Sequence, residues 1–198
     1  MPTLVCYAGN TGALPDDPGL PEADRWSATD APGVPADPGA TAAALLPDGV
    51  LRLTDPDPGH RRVYARYDPL DAAADAVFEL RGRVNAAGDS YGVAFGFIDT
   101  RKLLELVLAA GQVGVYTADG FSGVPFDTAD AFHTYRLIKH GDATMEVHAD
   151  GTALLRVPYE ELLDRPAEFP EAQRQVIATS GADQSEWDIA YACYSIGP

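Results

Sequence analysis

The amino-acid sequence predicts an all-β fold, a sandwich of two antiparallel sheets with at most one or two short helices. Polar and apolar residues alternate almost without interruption from Val63 to Ile196, and Gly- and Asp-rich turns divide this stretch into short runs. The runs recur at spacings of about 8 to 12 residues with no helical pattern between them, which is typical of sandwiches and barrels. One face of each strand is therefore expected in a core and the other in solvent.

The clearest stretch is residues 132–157, which predicts three strands joined by two turns. In the first strand His133, Tyr135 and Leu137 share one face, and Thr134, Arg136 and Ile138 share the other. The turns are predicted at residues 140–142 and at Asp150-Gly151. An Asp-Gly pair between alternating runs indicates a tight hairpin, because such a turn needs positive φ at its central residues.

The remaining elements follow in chain order within one predicted domain, residues 1–198. Further strands are predicted at residues 4–7, 49–53, 63–67, 76–84, 91–98, 103–108, 113–116 and 187–196. Residues 15–58 carry nine of the sixteen prolines, so we expect an extended segment that wraps the surface without a central strand, anchored by Trp26. A short helix is predicted at residues 159–164, between Pro158 and Pro166.

The last strand alternates in a way that assigns its faces. Trp187, Ile189, Tyr191 and Cys193 are predicted on one face, and Asp188, Ala190, Ala192 and Tyr194 on the other.

Composition excludes several functions. The 14 Lys and Arg against 30 Asp and Glu give a net charge of −16, which repels nucleic acids and anionic lipid surfaces. No apolar run approaches the roughly 18 residues of a membrane span. The N-terminal residues lack the pattern of a signal peptide, so the cytoplasm is the default expectation.

The order of these segments resembles the concanavalin A-like lectin/glucanase superfamily, whose laminin G-like members share a jelly-roll sandwich. The matching segments are Tyr7-Ala8-Gly9, Trp26, Gly49-Val50-Leu51, residues 78–84, 91–96, 133–137 and 147–151, Gly181 and Trp187-Asp188. The resemblance covers the chain from Leu4 to Ile196 and implies a jelly roll. It does not specify a ligand, since one fold hosts many functions.

The resemblance also implies that the first and last strands pair antiparallel, which would make Cys6 and Cys193 neighbours. Without an export signal, we expect reduced thiols rather than a bridge.

Glucanases of that superfamily place paired carboxylates on one strand, in an ExDxxE or ExDxE spacing. The near match here is Glu146-Val147-His148-Ala149-Asp150, in which His148 replaces the middle acid and Asp150 belongs to the predicted turn. Motifs of serine hydrolases, zinc proteases and nucleotide-binding enzymes are absent from the sequence. The sequence therefore predicts a non-catalytic protein.

The candidate ligand-binding residues are Arg83, Tyr91, Arg136 and His148. If Tyr135 and Leu137 face the core, Arg136 and His148 lie on the opposite, concave sheet surface, and Arg83 falls on the same side of its own strand. Arg and His donate to sugar hydroxyls or a uronate carboxylate, and a tyrosine ring covers the apolar face of a sugar. The alternative is a solvated face with cross-strand Arg–Glu pairs.

The sequence thus predicts a lectin-like module that binds a glycan and needs no cofactor. A calcium site remains open, with Asp127, Asp130, Asp183 and Asp188 in or beside loops. The alternatives are a structural or protein-interaction module, which would present an apolar patch, and a divergent glycoside hydrolase, which would hold two close carboxylates in a groove.

Overall fold

The computed structural model describes residues 3–30, 42–55, 62–87, 92–166, 174–179 and 184–197. Strands make up most of these residues, and two single turns of 3-10 helix lie at Gly9–Thr11 and Tyr159–Glu161. The strands are β1 (Thr3–Ala8), β2 (Ser27–Asp30), β3 (Ala42–Leu45), β4 (Leu51–Asp55), β5 (Arg62–Arg66), β6 (Ala76–Ala86), β7 (Val93–Ile98), β8 (Leu103–Ala109), β9 (Gln112–Thr117), β10 (Gly120–Pro125), β11 (His133–His140), β12 (Thr144–Ala149), β13 (Thr152–Pro158), β14 (Arg174–Ala178) and β15 (Ser185–Ile196).

The strands form two antiparallel sheets, which confirms the predicted two-sheet sandwich. The eight-stranded sheet has the order β13-β12-β11-β6-β15-β4-β3, and β1 also pairs with β15. The seven-stranded sheet has the order β10-β9-β8-β7-β14-β5-β2. In the described part of the chain, no helix has the length and apolar character needed to cross a membrane.

An aromatic cluster fills the core between the sheets. Phe78 packs against Phe95 and Phe97, with ring centroids 5.2 and 5.5 Å apart, and Trp26 meets the edge of Tyr194 at 5.9 Å. All five rings are buried. Trp26 thus fixes the proline-rich segment to the core, as predicted.

The predicted meander is present as β11, β12 and β13. Its second turn holds Asp150 and Gly151 at φ of 48° and 80°, the left-handed conformation that the Asp-Gly pair predicts. Tyr135 and Leu137 are buried, so the face assignment of β11 is confirmed.

Two expectations for irregular segments need correction. The strand predicted at residues 49–53 is present as β4, but it lies inside the sheet, between β15 and β3, where the proline-rich segment was not expected to supply a strand. Its prolines flank β4 without interrupting it, so the strand keeps its ladder of hydrogen bonds. The helix predicted at residues 159–164 is only the single 3-10 turn Tyr159–Glu161.

The face assignment of β15 holds for only half of that strand. Its pairing with β6 shifts register between Ile189 and Tyr191. The extra residue reverses the alternation, so Trp187 and Ile189 are buried, and so are Ala192 and Tyr194. Tyr191 and Cys193 therefore face outward, against the sequence prediction.

Cys6 and Cys193 face each other directly in the β1–β15 register and form a disulfide, with Cα atoms 4.1 Å apart. The predicted proximity is confirmed, and the expectation of reduced thiols is wrong. That expectation rested on the usual reduced state of cysteines in the cytoplasm, whereas directly opposed cysteines in an antiparallel pair lie within reach of a bridge.

Candidate functional site

The outer face of the eight-stranded sheet carries the predicted binding residues that the structure describes. Arg136 on β11 lies opposite His148 on β12 and opposite Glu79 on β6. Met145 and Val147, which alternate with His148 along β12, point into the core. Arg136 and His148 therefore lie on one surface, as the alternation in the sequence predicts.

Arg83 is on the same face but in a separate cluster. It lies four residues along β6 from Glu79, which is about 13 Å at the usual rise of a strand. Its guanidinium donates to Asp188 at 3.1 Å and lies over the Phe132 ring at 5.2 Å. Asp188 is buried and also binds Arg52. Tyr91, the fourth predicted residue, lies outside the described residues.

The Arg136 side chain forms a cross-strand ion pair. Its Nε lies 3.2 Å from Glu79 Oε2, and the two side chains are 44% and 34% exposed. The other oxygen of Glu79 accepts a hydrogen bond of 2.9 Å from the Tyr191 hydroxyl. Burial, with this bond to Glu79, raises the pKa of Tyr191, so the phenol keeps its proton at neutral pH.

His148 belongs to a second group of charges beside this pair. Its Nε2 lies 3.0 Å from Glu146 Oε2, and His140 and Arg156 approach the same carboxylate at 3.6 and 3.7 Å. The hydrogen bond with His148 lowers the pKa of Glu146 against the opposing effect of burial, with smaller contributions from His140 and Arg156. Glu146 is therefore ionised at neutral pH.

The near match to the glucanase motif does not form a pair of catalytic acids. Asp150 accepts hydrogen bonds from His133 at 2.6 Å and from the Thr134 amide at 2.9 Å. These bonds lower the pKa of Asp150 and hold its carboxylate against the hairpin turn. Glu146 and Asp150 thus have separate partners and separate structural roles.

A groove of about 260 Å³ opens beside Arg136 on this face. Its lining consists of Leu4, Cys6, Val77, Glu79, Arg136, Cys193, Tyr194 and Ser195. Leu4 is 71% exposed, so the lining of the groove combines an exposed apolar side chain with the Arg136–Glu79 ion pair. We call Glu79, Arg136, His148 and Tyr191, together with this groove, the Arg136 surface.

Sequence reasoning missed two members of the Arg136 surface. Glu79 was available from the same alternation that selected Arg83, because both are outward positions on β6. Tyr191 was not available, because only the register shift in β15 turns it outward.

The candidate calcium ligands are engaged elsewhere. Asp127 accepts the backbone N–H groups of Ala129 and Asp130, and the Asp130 carboxylate binds His133 at 2.7 Å. Asp188 binds two arginines, and Asp183 lies outside the described residues. Within the ranges that the structure describes, no group of three or more His, Cys, Asp or Glu side chains is arranged to hold a metal ion.

No protein-family model and no curated protein matches the chain. Several solved structures share its fold. A protein of unknown function from Shewanella oneidensis MR-1 has a TM-score of 0.60 at 10% identity, over 99% of this chain and 87% of that one. A carbohydrate esterase from the Shiga toxin-encoding bacteriophage phi24B has a TM-score of 0.59 at 12% identity, over 87% and 90%.

The carbohydrate recognition domain of Emp46p, in its metal-free form, has a TM-score of 0.53 at 13% identity, over 85% of this chain and 87% of that one. A sialidase matches 81% of this chain at 18% identity and a TM-score of 0.50, but the chain spans only 16% of that protein. At these identities the likeness shows the β-sandwich fold alone.

Proposed function

We propose that this chain is a non-catalytic module that recognises a carbohydrate on the Arg136 surface. The observation that carries the proposal is the convergence of Arg136, Glu79 and Tyr191 beside a groove of about 260 Å³ on an outer sheet face. A sugar presents hydroxyls that donate and accept hydrogen bonds, and it also presents apolar C–H faces. A guanidinium donates to the hydroxyl oxygens, a carboxylate accepts from the hydroxyl groups, and an aromatic ring packs on the C–H face.

The ion pair is suited to exchange partners with a ligand. Both side chains are partly exposed, and exposed pairs contribute only about 0 to 1 kcal/mol to stability. A sugar hydroxyl or carboxylate can therefore replace part of the Arg136–Glu79 interaction at little cost to the fold. His148, on the neighbouring strand, extends the polar surface along the same row.

The state of the nearby acids supports binding rather than hydrolysis. A retaining glycosidase needs an acid and a nucleophile about 5 to 5.5 Å apart, and the acid must hold a proton near neutral pH. The hydrogen bonds described above lower the pKa of both Glu146 and Asp150. Similarity to a domain described as a carbohydrate recognition domain gives further support.

Binding to an array of neutral and acidic glycans tests the proposal, first with calcium and then with a chelator. Arg136→Ala is expected to weaken binding by about 1 to 3 kcal/mol, the range for a lost charge-assisted hydrogen bond, and to leave folding unchanged. Arg101→Ala is the matched control, because Arg101 also pairs with a carboxylate, Glu160, and is 49% exposed. Equal binding by the parent and the Arg136→Ala protein would contradict the proposal.

The second candidate is recognition of a protein. Leu4 favours it, because a leucine that is 71% exposed beside the groove offers an apolar anchor to a protein surface. Leu4→Ser separates the two candidates. The change should abolish binding to a protein partner and should reduce glycan binding much less than Arg136→Ala does.

A further inference from the structure

A second groove lies on the seven-stranded sheet, near its β2 edge. This groove, which we call the Tyr67 groove, is open to solvent and has a volume of about 630 Å³. It is lined by Glu22, Ala23, Arg25, Ser27, Ala65, Arg66, Tyr67 and Asp68. This volume is within the range of about 300 to 1,000 Å³ that is typical of small-molecule sites. Ser27 of β2 and Ala65 of β5, which are cross-strand partners, both line it.

Arg66 fixes residues 23–25 in the lining of the groove. Its Nη1 donates to the carbonyl oxygens of Ala23 and Arg25 at 2.8 and 3.0 Å. Its Nε donates to the Tyr194 hydroxyl at 2.9 Å and to Asp68 at 3.2 Å. These bonds attach residues 23–25 to β5, so the groove is preformed.

A buried glutamine fixes the other wall. The Gln175 side chain has no solvent exposure, and its amide donates to the Asp68 carbonyl oxygen at 3.0 Å and accepts from the Asp68 N–H at 3.2 Å. Tyr67 therefore lies between two anchored residues. Tyr67 itself is 52% exposed, whereas the other aromatic residues in the described ranges are buried or half-buried.

The charges around the groove balance. Arg66 and Asp68 pair with each other, and Glu22 and Arg25 supply one negative and one positive group on the opposite wall. An anionic ligand would also meet the net charge of −16 of the whole chain. The groove is therefore suited to an uncharged ligand that has both hydroxyls and an apolar face.

We infer that the Tyr67 groove is a second binding site, for a neutral sugar ring. The Tyr67 ring stacks on the apolar face of the sugar, while Glu22, Arg25 and Ser27 bind its hydroxyls. The inference does not depend on the Arg136 surface, which lies on the other sheet.

Isothermal titration calorimetry with neutral hexose oligosaccharides tests the inference. Tyr67→Ala should lower the affinity at least about tenfold, and Tyr67→Phe should keep it within about twofold, because stacking needs the ring and not the hydroxyl. Tyr116→Ala is the matched control, since Tyr116 lies on β9 near the far edge of the same sheet. Circular dichroism would verify that each variant is folded.

Three results would overturn the inference: unchanged affinity in Tyr67→Ala, an equal loss in Tyr67→Phe, or no binding of any neutral oligosaccharide by the parent. Arg136→Ala, measured in the same series, separates this site from the one proposed above. Loss of binding in Tyr67→Ala with full binding in Arg136→Ala supports the Tyr67 groove alone.

Discussion

Two positions on β11, three residues apart, show how burial changes the role of a charged side chain. Lys139 points inward and has no exposed side-chain surface, whereas Arg136 points outward and is 44% exposed. The Lys139 ammonium donates to the carbonyl oxygens of Asp71, Ala72 and Ala74, and lies 3.7 Å from buried Asp99. The cation on the inner face thus organises a loop, while the cation on the outer face stays partly exposed to solvent.

The Lys139 site depends on complete pairing of its polar groups. Asp99 accepts hydrogen bonds from the Tyr159 hydroxyl and from the backbone N–H groups of Arg101 and Lys102. Burial lowers the pKa of Lys139, although Asp99 opposes the shift. A buried charge without its partner is costly, so this cluster should be far less tolerant of substitution than the Arg136 surface.

The largest effect is therefore expected at Lys139. Lys139→Met should destabilise the fold by about 3 to 5 kcal/mol, since it removes the cation beside Asp99 and the ammonium that donates to the Ala72 and Ala74 carbonyl oxygens. Urea denaturation measures the loss. Arg156→Met, at a side chain that is 67% exposed, should change stability by about 0.5 kcal/mol or less. A loss below about 1 kcal/mol for Lys139→Met would show that the buried cation is no more important to stability than an exposed one.

His133, at the start of β11, is intermediate in burial between Lys139 and Arg136. Its side chain is 12% exposed, and its two ring nitrogens lie 2.6 Å from Asp150 and 2.7 Å from Asp130. Burial lowers the pKa of His133, but the hydrogen bonds to the two carboxylates outweigh it and the net shift is upward. The contribution of His133 to stability is then full below its unfolded pKa of about 6.5 and is lost as pH rises through its folded value.

The corresponding experiment compares the parent with His133→Gln across pH. The stability difference should be about 1 kcal/mol at mildly acidic pH, since both carboxylates are half exposed, and should shrink at alkaline pH. Asp150 has a lowered pKa in the folded protein, so its contribution to stability is lost at the acid end, as pH falls through that folded pKa. His140→Gln, at the exposed end of the same strand, is the control. If the stability difference between the parent and His133→Gln grew as pH rises, the pKa of His133 would be lowered in the folded protein and not raised.

The smallest effect is expected at Arg136. A double-mutant cycle with Arg136→Ala and Glu79→Ala should give a coupling energy of about 0.2 to 1 kcal/mol in the free protein. A coupling energy above about 2 kcal/mol would instead place this pair with Lys139, as part of the scaffold.

The same strand shows what the sequence could predict. The alternation around Tyr135 and Leu137 assigns Arg136 to the outer face, and it also assigns Lys139 to the inner face. The partners of Lys139 were not predictable. They are backbone carbonyl groups more than 60 positions away, and a backbone carbonyl group leaves no signal in the sequence. The Asp150-Gly151 turn was predictable, because its positive φ is a local requirement.

The errors elsewhere have similar physical causes. A register shift moved Tyr191 to the outer face, and a single extra residue leaves no mark in a hydrophobic pattern. Strands β2, β3, β10 and β14 are short or glycine-rich and lacked the alternation that identified the others. The Tyr67 groove is formed by residues 22–27 together with residues 65–68. These two segments are far apart in the sequence, so neither one by itself predicts a groove.

The Cys6–Cys193 disulfide has a mechanical consequence. It joins residues 187 positions apart, so everything between them forms a covalently closed ring. A force that pulls on the chain before Cys6 and after Cys193 passes through the two sulfur atoms and leaves β2 to β14 without load. The sandwich can thus sit within a tether under tension without being unravelled from its ends.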